Sequence, residues 1–295
     1  MTVDEVAARL SGTTVASPWR LATRRFFRHR LAAIGLALCF LLLASAIFAP
    51  ALAPRGPEAI TILDKFAPPM TKGYLLGADE VGRDLLTRLL YAGRISLLVG
   101  FAAMAVTVTV GTVIGLVAGH FGGQVDAVLM RLTDALLCFP TVFLLLVLAS
   151  FVGAKIFSIT LIIGLTAWME LARILRNQTL GLREQDFVQA ARALGASHGR
   201  IIVRHLLPNS LAPIMVAATL NIANAVLAES YISYLGYGIQ PPAASWGNML
   251  NNAQQYFTKA PWIALFPGLL ITLTVAGFNF VGDGLRDALD PRSRR

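Results

Sequence analysis

The residue types that carry enzymatic chemistry are few and scattered in this sequence. The four histidines stand at His29, His120, His198 and His205. The last two are seven residues apart in a polar stretch, a spacing that favours surface positions over a ligand pair. No G-x-x-x-x-G-K-[ST] phosphate loop occurs, so ATP hydrolysis by that machinery is excluded. Cys39 and Cys138 lie in apolar runs, which argues against a disulfide framework. The sequence therefore predicts no catalytic residue, no metal site and no cofactor.

Three polar residues inside an apolar stretch are the stronger functional candidates. Asn221 and Asn224 share one face of a predicted helix with small alanines, and Glu229 borders that face. Polar side chains within a membrane span usually face the bundle interior or a water-filled cavity. Two interpretations stay open: the three residues join helices by hydrogen bonds, or they line a translocation pathway.

Composition places the chain in a membrane. Hydrophobic residues make up 56% of it and charged residues 14%, whereas a soluble domain carries roughly 25% charged residues. Mean hydropathy is +0.66. The net charge of +9 comes from arginines that flank apolar runs. They fit the excess of positive charge on cytoplasmic loops, so nucleic acid is not expected as a partner.

We predict an all-α polytopic protein with six transmembrane helices. The apolar run that begins at Leu31 is too long for a signal peptide and long enough to span, at about 20 residues. The predicted spans are 31–52, 95–118, 131–152 (kinked at Pro140), 156–175, 213–235 and 261–282. The predicted organisation is a cytoplasmic basic tail 1–30, the first span, an extracytoplasmic connector 53–92, a five-helix core 93–282 containing a cytoplasmic loop 176–212, and a cytoplasmic tail 283–295.

Small residues recur every fourth position in the second span, at Thr107, Gly111, Gly115 and Gly119. Such a seam permits close helix packing in lipid. Packing within the chain and packing against another subunit both remain open. In the fourth span, Glu170 and Arg173 stand three residues apart and are expected to pair.

The polar stretch 182–213 predicts two short helices on the cytoplasmic membrane face. Asp186 is placed to cap the first, with Gln189 three residues on as in a capping box. Gly195 fits the end of that helix. Ser197 is placed to cap a second helix from about 198 to 207, which is expected to end before Pro208.

This stretch resembles the coupling motif with which permeases of ABC importers dock on their ATPase. The string DFVQAARALGASHGRIIVRHLLPN resembles the dipeptide/oligopeptide/nickel-type family, although Gln189 stands where that family commonly has Glu. The resemblance implies a cytoplasmic coupling helix that contacts the ATPase. The implied docking residues are Asp186, Phe187, Val188, Gln189, Ala190, Ala191, Arg192, Leu194, Gly195, Ser197 and Arg200.

Two further segments are similar to the same family and to its C-type subunit. They are GYLLGADEVGRDLLTRLLYAGRISL, with Tyr74 at the family's usual His position, and YISYLGYGIQPPAASWGNML. The resemblance implies a type I importer permease in a bacterial cytoplasmic (inner) membrane, surrounded by lipid. It also implies three kinds of protein partner: a homologous second permease in a heterodimer, ATPase subunits, and an extracytoplasmic solute-binding protein.

The resulting expectation is a transport subunit that forms half of a pathway for short peptides, with ATP hydrolysed by partner chains. Nickel chelates, glutathione and opines remain open as cargo within the family. An ion-coupled secondary transporter is the alternative mechanism, and it would show paired interior charges or broken inverted repeats. A membrane enzyme would show a clustered catalytic set. Neither pattern stands out in the sequence.

Overall fold

The computed structural model describes residues 18–153, 155–251 and 253–289, and their regular structure is helical. The basic tail predicted at 1–30 is thus described only from Pro18, and 290–295 of the predicted C-terminal tail lie outside the described residues. The helices are α1 Pro18–Arg28, α2 Arg30–Ile47, α3 Ala49–Leu52, α4 Leu85–Phe121, α5 Gly123–Leu137, α6 Thr141–Val152, α7 Ile156–Arg183, α8 Asp186–Ala193, α9 His198–Ile201, α10 Leu207–Asn209, α11 Leu211–Tyr234, α12 Trp246–Met249 and α13 Trp262–Leu289. Short 3₁₀ turns occur at Ile62–Asp64 and Ala253–Tyr256, and a π-helical turn at Ile202–Leu206.

Among the described residues, five helices are long and apolar enough to cross a membrane: α2, α4, α7, α11 and α13. Helices α5 and α6 pass the same test only as a pair, with a bend of 87° between them. The helical architecture follows from the lipid environment, because a helix satisfies its own backbone hydrogen bonds without water. The kink predicted at Pro140 is in fact a break at which one helix ends and another begins.

The direction of α4 and α7 shows that the bent pair is the sixth crossing. Gly111 lies against Trp168 and Leu171, and Gly115 lies against Ala172 and Leu175. Residue numbers rise together along the two helices, so α4 and α7 run parallel. The chain must therefore return across the membrane between residues 121 and 156, which is where α5 and α6 lie.

The small-residue seam is used within the chain. A Cβ on Gly115 would stand 2.6 Å from the carbonyl oxygen of Ala172 and 2.8 Å from Cβ of Leu175. Thr107 Oγ1 donates a hydrogen bond of 3.1 Å to the carbonyl oxygen of Gly164. Because the glycines of the seam have no side chain, the two backbones touch there. Helices in lipid gain dispersion contacts by such close approach.

Several helix ends differ from the predicted spans. Helix α4 begins at Leu85, within the predicted connector, because Asp84 Oδ2 accepts a hydrogen bond of 2.8 Å from the Thr87 amide and caps the helix there. Helix α7 continues to Arg183 and α13 to Leu289, past the apolar runs that define the spans. Hydropathy marks the lipid-embedded part of a helix, whereas its end depends on capping.

The alternating helices give the molecule two distinct ends. The basic end carries the start of α2, the junction of α4 and α5, residues 184–210 and the end of α13. The connector end carries residues 53–84 and 235–261. Arginines at the basic end are Arg24, Arg28, Arg30, Arg183, Arg192, Arg200, Arg204 and Arg286.

The connector, residues 53–84, is folded around Tyr74 and Asp79. The Tyr74 side chain is fully buried, with the Arg55 guanidinium 3.9 Å from its ring centre. Asp79 accepts hydrogen bonds from the amides of Val81 and Arg83 and from Arg83 Nε at 2.6 Å. On the surface, the 2.6 Å hydrogen bond from Lys72 Nζ lowers the pKa of the Asp64 carboxyl.

We predict that Gly115→Leu prevents the close approach of α4 and α7. Overfilling a packed contact costs about 1–3 kcal/mol, so the chain should show a lower thermal unfolding midpoint in mild detergent and more aggregation during size-exclusion chromatography. Gly268→Leu is the matched control, because a Cβ there meets no atom within 4 Å. Equal midpoints for the two variants would contradict the packing role of the seam.

Candidate functional sites: the basic-end segment and the polar face of α11

Helix α8 projects from the basic end on a rigid base. Val188 is fully buried and packs with Leu116 of α4, Ile201 of α9 and Leu206 of the π turn. Gln189 Nε2 donates a hydrogen bond of 3.0 Å to the carbonyl oxygen of Arg183, at the end of α7. One apolar anchor and one hydrogen bond therefore fix α8 to the ends of the spans.

The start of α8 differs from the predicted capping. Gln185 is the N-cap residue, and no side chain caps the helix there. Asp186 is the first helical residue, where its charge still favours the positive end of the helix dipole. Gln189 does not complete a capping box, because its amide reaches back to Arg183.

The end of α8 is the turn that Gly195 predicts. Gly195 has φ +78°, a conformation that side chains with a Cβ disfavour. Its amide donates to the carbonyl of Arg192, and the Ala196 amide donates to the carbonyl of Ala191, both at 3.0 Å. These two bonds form a Schellman motif, which satisfies the last carbonyls of the helix.

The return from this turn is one continuous helical stretch, 198–209. The second helix does not end before Pro208 as predicted; it passes through the π turn, and the Leu207 amide bonds to the carbonyl of Ile202. The wider π turn accommodates Pro208, which cannot donate a backbone hydrogen bond. Ser197 precedes the helix but makes no capping hydrogen bond. His198 instead hydrogen-bonds buried His120 of α4, with 2.9 Å between Nδ1 and Nε2.

Most predicted docking residues form one exposed surface. Val188 is the exception that points inward, and Ala191 is half-buried. Leu194 is 88% exposed and Phe187 42% exposed. The remaining exposed residues of this docking surface are Asp186, Gln189, Ala190, Arg192, Gly195, Ser197 and Arg200.

The second candidate site is a cavity of about 310 Å³ among α4, α6, α7 and α11. Asn221 and Asn224 both line it, as the predicted shared face requires. Asn221 Nδ2 donates to the carbonyl oxygen of Ala217 at 2.8 Å, whereas the exposed Asn224 makes no hydrogen bond with the described residues. Glu170 lines the cavity too. Its expected pairing with Arg173 is wrong, because Arg173 Nη2 binds Asp134 Oδ1 of α5.

Glu229 does not face this cavity, which corrects its predicted placement. Its side chain is 0% exposed; Oε2 accepts from Ser96 Oγ at 3.0 Å and Oε1 accepts from Ser233 Oγ at 2.6 Å. Ser96 Oγ accepts in turn from the Trp246 amide, and Ser233 Oγ from the Ile239 amide, each at 3.1 Å. Five residues beyond Asn224, at about 100° per residue, Glu229 turns away from that face and toward α4.

Sequence reasoning did not assign to either site the partners that complete it, although it singled out Thr107 and Glu170 for other reasons. Thr107, Thr166 and Glu170 add polar groups to the cavity from α4 and α7. Leu116 and Leu206 form the base beneath Val188. These residues are distant in sequence from the residues that they contact in the fold, so local spacing does not predict them.

Comparison with known proteins gives two family matches. Residues 111–295 match the model described as the binding-protein-dependent transport system inner membrane component. Residues 17–69 match the model described as the N-terminal TM domain of oligopeptide transport permease C.

Three relatives illustrate the similarity over nearly full length. The dipeptide transport system permease protein of Alkalihalophilus pseudofirmus is 39% identical, covering 95% of this chain and 92% of the relative. The oligopeptide transport system permease protein of Haemophilus influenzae is 40% identical, covering 99% and 95%. A putative peptide permease protein of Brucella ovis is 43% identical, covering 94% and 92%.

We predict that Glu229→Leu destabilises the connector end. The substitution leaves the buried hydroxyls of Ser96 and Ser233 without their acceptor, at a cost of about 1–3 kcal/mol. Thermal unfolding in mild detergent should show a clearly lower midpoint. Glu229→Gln keeps one acceptor oxygen, so its midpoint should lie between those of Glu229→Leu and the unmodified chain. Glu58 is exposed, so the midpoint of Glu58→Leu should match that of the unmodified chain. An unchanged midpoint for Glu229→Leu would show that the network does not stabilise the fold.

Proposed function

We propose a function from the premise that the chain belongs to the family of binding-protein-dependent transport system inner membrane components, and so is the permease subunit of such an importer. In this proposal the chain forms half of a pathway for short peptides, and α8 transmits the energy of ATP hydrolysis to the membrane spans. The observation that carries this proposal is α8 itself: a short, anchored helix, closed at its C-terminal end by a Schellman motif, whose exposed side has no partner surface within the described residues.

The distribution of arginines supports a cytoplasmic position for the basic end. Both ends of the described chain, the α4–α5 junction and residues 184–210 lie there. Cytoplasmic segments near membrane spans carry the excess of Lys and Arg. The proposed location is thus a bacterial inner membrane, with the connector, residues 53–84, on the extracytoplasmic side, where a solute-binding protein would dock.

The geometry of α8 suits docking into a cleft of an ATPase subunit. Ala190 is exposed and small, so a partner backbone can approach closely, and Phe187 and Leu194 offer apolar anchors on either side. Since Val188 and Gln189 fix the helix to α4 and α7, a push on α8 is delivered to the spans. The chain itself carries no phosphate loop, so hydrolysis is assigned to separate ATPase chains.

The cavity beside α11 is the proposed segment of the translocation pathway. Asn221, Asn224 and Glu170 present amide and carboxylate groups to a cavity within the bundle. Amides accept and donate, which suits the peptide bonds and termini of a short peptide. The other half of the pathway would come from a homologous second permease in a heterodimer.

The cargo class rests on the relatives and not on the cavity. The relatives from Alkalihalophilus pseudofirmus and Haemophilus influenzae are named for dipeptide and oligopeptide transport. Short peptides are therefore the proposed cargo, and uptake assays should begin with di- and tripeptides.

We predict that Ala190→Arg uncouples ATP hydrolysis from transport. A long charged side chain on the close-approach face would hold the ATPase away, and losing about 1.4 kcal/mol of docking free energy weakens the contact about tenfold. Binding-protein-stimulated ATPase activity of the reconstituted importer should fall by about that factor. Ala127→Arg, the same change on the exposed side of α5, is the control and should keep full stimulation. Full stimulation in Ala190→Arg, with normal subunit stoichiometry, would refute the docking role.

We also predict that replacing Asn221 and Asn224 together by Leu reduces uptake of a labelled tripeptide by about tenfold, because about 1–2 kcal/mol of polar contact is lost. The assembled complex should be recovered in normal amount. Leu227→Asn/Ala228→Asn provides the converse test, since it adds amides to the same cavity. Unchanged uptake together with poor assembly would show that the two asparagines join helices instead.

A further inference from the structure

A large cavity at the connector end, separate from the proposed pathway, lies between α2 and α4. Its volume is about 670 Å³, within the usual range of about 300–1,000 Å³ for small-molecule sites. Pro242 and Ala243, from the loop before α12, lie along one side of it. Nothing in the proposed transport cycle uses this cavity.

Arg88 lines this cavity and also a neighbouring cavity of about 300 Å³ that Asp79, Glu80 and Arg83 line. Its side chain is only 6% exposed, yet it makes no side-chain hydrogen bond with the described residues. Its nearest ionic partner is Asp79, with 3.7 Å between Nε and Oδ2. A guanidinium carries five N–H donors, and a buried charge that lacks hydrogen bonds is costly. The Asp79 carboxylate already accepts from Arg83 and from two backbone amides, and its Oδ2 lies too far from Arg88 Nε for a hydrogen bond.

A second arginine lies on the same side of α4. Arg88, Tyr91 and Arg94 follow each other at three-residue spacing and all line the cavity. Arg94 is exposed and makes no ion pair with the described residues. Glu58 is the acidic residue in the lining, and it is exposed, so its carboxylate is free to turn to water. Among the residues that line the cavity, two arginines stand against one exposed carboxylate, and this excess of positive charge favours an anion.

The remainder of the lining is apolar and lies deeper. Leu98 and Phe101 continue the face of α4 toward the basic end, and Leu43 and Ile47 line the cavity from α2. At about 1.5 Å per residue, Phe101 stands roughly 20 Å from Arg88 along the axis. Positive charge near the membrane surface, followed by an apolar groove toward the membrane centre, is the order in which a phospholipid presents its headgroup and acyl chain.

We propose that this cavity binds one phospholipid with an anionic headgroup from the leaflet at the connector end. The phosphate lies between Arg88 and Arg94, and an acyl chain follows Leu98 and Phe101 beneath Ile47. Free phosphate would use the arginines but not the apolar half. A helix from the partner permease would cover the apolar half and leave the two arginines without an anion.

Native mass spectrometry of the purified importer, titrated with dioleoylphosphatidylglycerol, tests this site. Arg94→Gln is the informative variant, because exposed Arg94 makes no ion pair with the described residues and only a distant contact with the Tyr91 ring, at 5.8 Å, so its loss should spare the fold. Removing one charge-assisted contact should weaken binding of the lipid about tenfold. Lys65→Gln, an equal change of charge at the connector end outside the cavity, should bind as the unmodified protein does. Zwitterionic dioleoylphosphatidylcholine should bind unmodified protein and Arg94→Gln equally weakly.

Ile47→Trp, which narrows the apolar half without changing charge, separates the possible occupants. Loss of phosphatidylglycerol binding in this variant, with no displacement of the lipid by inorganic phosphate, supports a lipid site. Equal affinity of the unmodified protein and Arg94→Gln overturns the proposal. Displacement of the lipid by inorganic phosphate overturns the proposal as well. So does a disulfide cross-link between the Ile47→Cys variant and another subunit, if it forms in place of lipid retention.

Discussion

The close parallel contact of α4 and α7 is the constraint on which the other features depend. In lipid, neighbouring helices gain little from the hydrophobic effect, so they associate by bringing backbones into van der Waals contact. Gly111, Gly115 and Gly119 provide that contact by removing side chains. Because the two helices are parallel, α5 and α6 must cross between them, and this fixes which helix ends share a membrane face.

The same contact gives α8 a firm base. Helices α4 and α7 end side by side, and Val188 packs against Leu116 while Gln189 bonds to the end of α7. The hydrogen bond between His120 and His198 adds a link from α4 to the returning helix. A helix of only eight residues is marginal alone, so its rigidity comes from these contacts and from the Schellman motif at Gly195.

Buried polar side chains organise the connector end in a different way. Glu229 receives two serine hydroxyls, and each serine accepts from a backbone amide in the region 235–250. The carboxylate thereby ties α4, α11 and α12 together without a cation among the described residues. Arg88, in contrast, is buried with unused donors. The Glu229 side chain is satisfied within the fold, whereas Arg88 has donors left for a ligand from outside.

The sequence alone determined the helical class, the membrane setting and the position of the Gly195 turn. These depend on local composition, and the left-handed backbone at Gly195 needs only the residue that occupies it. It also placed Asn221 and Asn224 on one face, because helical periodicity is local. Only the tertiary structure decided that Val188 and Glu229 point inward, that α4 begins at Leu85, and that the helix passes Pro208 through a π turn. Those outcomes depend on what each side chain meets from a distant part of the chain, and spacing along one helix does not encode that.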